Sequence, residues 1–593
     1  MRRVTHILRA DVRRFRWPIA AWILLTAGAF TIEGTSPFVS DWRSVGSMQT
    51  GEALLALARA ITGVTLIVLI VQAHALVGTT AFWLTRPFPP LALMAAKLLL
   101  LAALFLVVPA IAEAVLMSAY RVPPARIAGV TFDATLLRAA LVVCLAVGAG
   151  LARTLARFAV LAGAVLAAVV LLGFVVMLID TWRSASVNAT ATLSVGRPMV
   201  FGWMMPPKDA TAGIAACVVF LGTALLLLRA QYRRRARARV IALAVTVPVL
   251  SAIVWALWPW HVLQADPAPP VWARDGLSIA PDDSPPVVYR TQIGEADARQ
   301  RVVRLPLIAS GVPSGWLASA RLVRATYTMD DSEVQSRPGS WPALVAVGET
   351  TSSFTSEFLN GLLDVDRTIG GLGFPPDTGV EILSVDDEQL PVEGASGRYR
   401  GELEVALLNV AIVARLPLKR GQVFQEGAYR LVIDEVRLDR TPGVRVRVSQ
   451  ALSSVGRTYP PVYAVFLRDS GQRVAIGSDS FAIGQFNPFT PVLASSFVYG
   501  WGWHFYTPWT SGFQARAEWV TFRTAHVRTY APGSGGPVEA PPVEIEWSDA
   551  ELVVLRLTDA GALHRTLEID RLVLPKPVEY RLEGGIQQVF PGQ

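Results

Sequence analysis

The 593 residues are 52% hydrophobic with a mean hydropathy of +0.42, too apolar for an ordinary soluble chain of this length. Charge divides along the chain: residues 1–264 carry 24 Lys+Arg against 8 Asp+Glu and residues 265–593 carry 30 against 38, so the total of +8 is +16 in the first part and −8 in the second. The positive surplus lies in short segments beside apolar runs, where anionic lipid headgroups are the counter-charge, which argues against a nucleic-acid partner. Cys144 and Cys217 are the only cysteines and both lie in apolar segments, so a disulfide framework or a cysteine-based metal site is excluded.

At the N-terminus an Arg-rich stretch places Ile7, Leu8, Val12 and Phe15 near one another at helical spacing, which predicts a helix lying in the membrane surface and also serves as a topology signal. This stretch and the apolar residues 17–32 have the outline of a cleavable signal peptide. The length of the basic stretch, Asp11 within it, the lack of a small-x-small cleavage site and the further apolar runs downstream favour an uncleaved membrane helix instead.

Apolar runs at residues 17–32, 61–82, 91–119, 136–151, 158–179, 210–228 and 240–260 match the roughly 20 residues needed to cross a bilayer. The expected fold is therefore an α-helical polytopic membrane domain of seven spans at 1–264. The first and fourth runs are short, and Arg16, Arg138 or Arg153 are expected to snorkel at their ends. With the N-terminus inside, fifteen arginines fall in inner segments and six Arg or Lys in outer ones, the asymmetry of a cytoplasmic N-terminus. An odd number of spans then places residues 265–593 outside, with Trp255, Trp258 and Trp260 anchoring the last helix at the outer interface. The ratio of 4 lysines to 50 arginines hints at a GC-rich bacterial genome, making the expected location a multi-pass position in the cell (inner) membrane. Gln72 and His74 near the middle of the second run, and Glu113 in the third, are costly polar groups in lipid; they are candidates for a substrate path or proton relay, or for packing against bundle neighbours. His74 and Glu113 fall on opposite sides of the bilayer centre and are not expected to pair.

Between the second and third runs lies the short inner loop Trp83-Leu84-Thr85-Arg86-Pro87-Phe88-Pro89-Pro90, followed by Lys97 at the opening of the next run. Together with the basic amphipathic start, this pattern resembles the permease subunit of type-2 ABC exporters over roughly residues 1–229. The resemblance implies a loop that docks a separate ABC ATPase subunit, with Trp83, Thr85, Arg86, Pro87 and Lys97 as its coupling residues, and a homo- or heterodimer of permeases in the lipid bilayer. A seventh run and a large outer domain depart from the family pattern. No Gly-rich turn ending in Gly-Lys-Ser/Thr is present, so ATP hydrolysis is expected in the partner, and no cofactor is expected.

Prolines at 267, 269, 270, 281, 285 and 286 mark residues 265–286 as a stiff linker. Beyond it, residues 287–593 carry period-two stretches at 429–438, 444–448, 518–523, 543–547 and 551–557 between Gly, Pro, Asp and Asn, which predict an all-β, β-sandwich-like soluble domain, extracytoplasmic and in two lobes. One helix is expected at 355–363. His504, His526 and His564 lack metal-ligand spacing and no G-x-S-x-G turn occurs, so a binding or structural role is favoured over catalysis. Phe497, Tyr499, Trp501, Trp503 and Phe505 alternate onto one strand face, which is either the core of a sandwich or a ligand-stacking or lipid-facing surface. Three functions compete: a transmembrane subunit of an ABC-type exporter working with a separate ATPase, a membrane-anchored extracytoplasmic binding or sensor protein, and a membrane enzyme.

Overall fold

A computed structural model describes residues 2–35, 42–73, 90–152, 154–160, 218–230 and 268–292, and from residue 299 onward the strands and helices named below with the turns that join them. Helices α1 (Arg2–Arg14), α2 (Arg16–Thr35), α3 (Trp42–Gln72), α4 (Pro90–Ala102), α5 (Val108–Ala119) and α6 (Pro124–Leu151) form one packed unit, joined by α7 (Val218–Ala230). A π-helical turn, Ala103–Val107, splices α4 to α5. Its cause is Pro109: proline has no N–H to offer the carbonyl four residues back and its ring crowds that carbonyl. The wider turn absorbs the misfit, with Val108 N–H bonding to Ala103 five residues earlier. At the centre of the unit Trp22 stacks obliquely on Phe105 with ring centroids 4.5 Å apart. Gly63 of α3 makes this contact available, because a Cβ there would lie 3.0 Å from Trp22 Nε1 and 3.3 Å from Phe105 Cε1.

The expected seven-span membrane bundle is not what the structure shows. Among the described residues two helical rods are long and apolar enough to cross a membrane, Leu91–Ala119 and Pro124–Gly150, and two shorter apolar helices, Leu57–Gln72 and Val218–Ala230, fall below that length. The second expected span, 61–82, is displaced: α3 begins at Trp42, inside the expected outer loop, and ends at Gln72. The seventh expected run lies outside the described residues, as do nearly all of the fifth and the opening of the sixth.

The rest of the chain is a large β-rich region with short helices α8 (Val271–Gly276) and α9 (Phe354–Leu363). Its largest sheet has ten strands, in the order β1 (Ser278–Pro281), β4 (Leu307–Ser310), β7 (Ala343–Val347), β5 (Trp316–Met329), β10 (Ser396–Pro417), β19 (Ala550–Val573), β14 (Val462–Asp469), β15 (Val474–Gly477), β8 (Arg367–Ile369), with β6 (Ser332–Ser336) beside β5. A five-stranded sheet runs β21 (Ile586–Val589), β20 (Val578–Glu583), β2 (Val287–Gln292), β3 (Arg299–Leu305), β9 (Val380–Asp386). A four-stranded antiparallel sheet runs β11 (Val423–Glu426), β12 (Tyr429–Arg437), β13 (Gly443–Ala451), β16 (Phe513–Thr521), and β17 (Arg528–Thr529) pairs with β18 (Val538–Glu539).

This corrects the expectation of a β-sandwich of many short strands. The spine is the antiparallel pair β10 and β19, of 22 and 24 residues, each about 70–80 Å long at the usual rise. Different stretches of this pair serve different cores. Leu403, Val405 and Leu407 of β10 pack with Leu563, Leu567 and Leu572 of β19 and with Val303 and Leu383 of the five-stranded sheet. Further along, Leu552 and Val554 of β19 pack with Leu431, Ile433, Val446 and Val448 of the four-stranded sheet. Residues 552–555 alternate sides, so that Val553 and Leu555 meet Leu359 and Leu363 of α9 on the opposite face. The spine is flanked by β5 on β10 and β14 on β19, both antiparallel, and among the described residues the pairs β15/β8, β4/β7 and β2/β20 are parallel.

Candidate functional site

Among the described residues, two buried ion pairs organise the helical unit. Lys97 of α4 donates to Asp11 of α1 at 2.7 Å, and both side chains are 2% exposed. Asp11 reaches it because residues 4, 7, 8, 11 and 15 form the inward face of the N-terminal segment, with Ile7 and Phe15 buried in the helical core. The N-terminal helix therefore packs into the unit instead of lying free on a surface. The second pair joins Glu113 of α5 to Arg138 of α6, with both side chains at 1% exposure or less. Arg138, expected to snorkel to a span end, is thus among the most deeply buried side chains of the molecule. Arg59 of α3 adds a second positive charge to the surroundings of Glu113 and lies over the Phe30 ring at 5.7 Å.

Gln72 has a structural task. Its amide donates to the carbonyls of Ala149 and Ala152 at 3.3 and 3.2 Å, satisfying acceptors that the end of α6 leaves without helical partners. His74, the loop residues Trp83, Thr85, Arg86 and Pro87, and the aromatic stretch Phe497, Tyr499, Trp501, Trp503 and Phe505 lie outside the described residues.

The helical unit meets the β-rich region at the end opposite α1. After α5, the turn at Tyr120–Pro123 sends Arg121 through a left-handed conformation, φ 59°, and its carbonyl accepts from Gln425 Nε2 of β11 at 2.9 Å. Around this bond Met117, Tyr120, Val122 and Val130 form a small apolar cluster with Ala451 of β13. Beside it lies a cleft of about 450 Å³, lined on the helical side by Phe30, Thr31, Ala112, Val115, Leu116, Ala119 and Tyr120 and on the sheet side by Arg430, Val432, Arg447, Val448 and Ser449.

The strand pattern explains why arginines face apolar helices. Arg430 pairs with Ser449 and Val432 with Arg447 in the β12/β13 register, so all four side chains share one face of the sheet, while Leu431, Ile433 and Val446 fill the core on the other. Arg447 Nε is held by Asp434 at 2.7 Å. Arg430 Nε is buried without a hydrogen-bond partner among the described residues. Burial, with Arg121 and Arg447 nearby, pushes the Arg430 guanidinium below its ordinary range. Sequence alternation over 429–438 and 444–448 marked both strands; that their polar face is covered by helices of the first half needed the tertiary structure.

Among the described residues no group of three or more His, Cys, Asp or Glu is placed to hold a metal ion. No family model, curated protein or solved structure matches this chain.

Proposed function

We propose that the chain is a membrane-anchored binding protein whose helical unit holds the β-rich region against the outer face of a membrane. The observation that carries this reading is the polarity of the Leu91–Ala119 rod. Lys97, bound to the Arg-rich α1, lies at one end and the Tyr120–Pro123 turn that touches β11 and β13 lies at the other. The 23 residue steps from Lys97 to Tyr120 span about 35 Å as helix, close to a hydrocarbon core of roughly 30 Å. An Arg-rich inner end and a β-rich outer end match the positive-inside asymmetry. A single cysteine at Ser284, in a chain with Cys144 and Cys217 replaced, is expected to react with a membrane-impermeant thiol reagent in intact cells; reaction only after lysis would remove the reading.

The Lys97–Asp11 pair favours a second reading, in which the same unit is the transmembrane subunit of an ABC-type exporter. It clamps α1 to α4, which begins at Pro90 just after the candidate coupling residues in sequence, so a force applied at those residues would be passed to α1 and α4 together. Co-purification with a separate ATPase, weakened by Arg86→Glu, is the expected result; no associated ATPase would leave the anchored binding protein alone.

A further inference from the structure

Among the described residues, the junction cleft gathers cations on one wall and hydrocarbon on the other. Arg430 and Arg447 share one face of β12/β13 and Arg121 stands close to Arg430, while Asp434 is the carboxylate bound to Arg447. A buried guanidinium nitrogen without a partner is costly, and among the described residues Arg430 Nε has none. The facing wall is the reverse: Phe30, Ala112, Val115, Leu116 and Ala119 offer hydrocarbon. Cation on one wall and hydrocarbon on the other suit a ligand with an anionic head and an apolar tail, and about 450 Å³ lies within the roughly 300–1,000 Å³ usual for ligand sites.

A second observation says where the tail would run. Leu99, Val107, Ile111 and Val115 are 55%, 51%, 59% and 64% exposed, large apolar residues spaced by eight, four and four along the α4–α5 rod. That spacing keeps them close to one helix face. The stripe ends in the cleft, because Val115 belongs to both. In a rod that crosses the membrane this stripe faces acyl chains, and one whose head sits in the cleft can run directly onto it from Val115, which a soluble anion cannot.

We propose that the cleft between α2, α5 and the outer face of β12/β13 binds a phosphate-headed anionic lipid, its phosphate on Arg430 and Arg447 and its acyl chain along Val115, Ile111 and Val107. This rests on the reading that the Leu91–Ala119 rod crosses the membrane. Guanidinium groups suit the task because they present planar N–H donors to phosphate oxygens and stay charged on partial burial better than an ammonium does. The bound phosphate would satisfy Arg430 Nε and offset the repulsion among the three arginines.

The test uses the full-length protein in nanodiscs of phosphatidylcholine with a minority of phosphatidylglycerol, followed by native mass spectrometry of the released protein. Wild type is expected to retain phosphatidylglycerol in preference to phosphatidylcholine. Arg430→Gln should lower that retention about tenfold, the size expected for one lost charge-assisted hydrogen bond. Val115→Trp, which fills the cleft and leaves both arginines in place, should lower it similarly and keeps the test decisive if Arg430→Gln does not fold. Arg437→Gln, whose guanidinium stacks on Trp519 at 4.4 Å outside the cleft, should leave retention unchanged. Equal retention of the two lipids, unchanged retention in both cleft variants, or an equal loss in Arg437→Gln would overturn the proposal. Displacement of phosphatidylglycerol by inorganic phosphate at comparable concentration would overturn it in favour of a soluble anion. Labelling at Ser284 reports separately on the anchored reading: a β-rich region found inside, with lipid retention intact, would sink the topology and leave the cleft's ligand standing in the inner leaflet.

Discussion

The two ion pairs of the helical unit and three that bridge strands along the β spine sit in opposite surroundings. In the helices, Lys97–Asp11 and Arg138–Glu113 are almost wholly removed from solvent. Along the β spine, Arg324–Glu402, Arg398–Asp570 and Arg400–Glu568 bridge neighbouring strands with arginines 71–81% exposed. The same chemistry therefore does different work. A solvated pair adds little because water serves either charge almost as well, while in a buried pair each charge is tolerated only because the other is present.

The largest effect expected from this contrast is at Glu113. Truncation to Ala leaves the Arg138 guanidinium buried without its carboxylate, and should destabilise the protein by about 3–5 kcal/mol. The converse change, Arg138→Leu, should cost a similar amount, whereas Glu113→Leu with Arg138→Leu should recover most of the loss because neither charge remains to be desolvated. Thermal unfolding in detergent, followed by near-ultraviolet dichroism, measures all three. A double variant no better than either single one would break the contrast, since the pair would then be held by something other than its own mutual charge.

Packing gives the next effect. Gly63→Val puts carbon where Trp22 Nε1 and Phe105 Cε1 already stand at 3.0 and 3.3 Å, and overpacking of this kind costs about 1–3 kcal/mol. Gly361 of α9, where an added Cβ meets nothing within 4 Å, is the matched control. A Gly361→Ala variant should be neutral or slightly more stable, by up to about 1 kcal/mol, because alanine is the better helix residue. Equal losses at both positions would show that the Trp22–Phe105 stack is not the constraint.

Much of the β-rich region could be read from alternation, and much of the helical unit could not. The α9 helix was expected at 355–363 and runs Phe354–Leu363, and the alternating stretches at 429–438 and 444–448 fall in β12 and β13. The great length of β19 was hidden by Thr558-Asp559-Ala560-Gly561, which has the composition of a turn. The structure spends it on a bulge: the register with β10 slips between Ala406 and Leu408, and Gly561 takes φ 91°. In the helices, hydropathy marks apolar length but says nothing of partners. Asp11 and Lys97 are 86 residues apart, and Arg138 looked like a span end because its carboxylate lies on another helix. The cleft was out of reach for the same reason, since its two walls come from opposite halves of the chain.

Tyrosine burial in the spine supplies a pH dependence. Tyr399 is fully buried, donates to the Ile382 carbonyl at 2.9 Å, and burial holds its phenol well above the ordinary range. The unfolded phenol ionises near pH 10. Above that pH the unfolded chain gives up a proton that the folded chain keeps, so stability is full below about pH 10 and falls as pH rises further. Tyr399→Phe should cost about 0.5–1.5 kcal/mol at neutral pH through the lost hydrogen bond, and the buried carbonyl left behind can raise this. It should also make the alkaline decline shallower. An alkaline decline identical in Tyr399→Phe and wild type would assign that decline to Tyr463, whose phenol is likewise raised by burial and by Glu426, and to Tyr327, raised by burial.

The smallest effect belongs to the exposed pairs. Arg324 donates to Glu402 at 2.6 Å between neighbouring strands, yet its side chain is 81% exposed and that of Glu402 28%. Glu402 also faces His564 Nδ1 at 3.1 Å, so removal of Arg324 leaves the carboxylate a second partner as well as water. A double-mutant cycle over Arg324→Ala and Glu402→Ala should therefore return a coupling of about 0.2–1 kcal/mol, shrinking as salt is raised toward 1 M, where the screening length falls to about 3 Å. The cycle over Lys97 and Asp11 should return several-fold more and be nearly insensitive to salt, because mobile ions do not reach two side chains that are 2% exposed. Couplings of similar size and similar salt dependence at the two sites would mean that water enters around Lys97, and the division between a dry helical unit and a solvated β spine would fall.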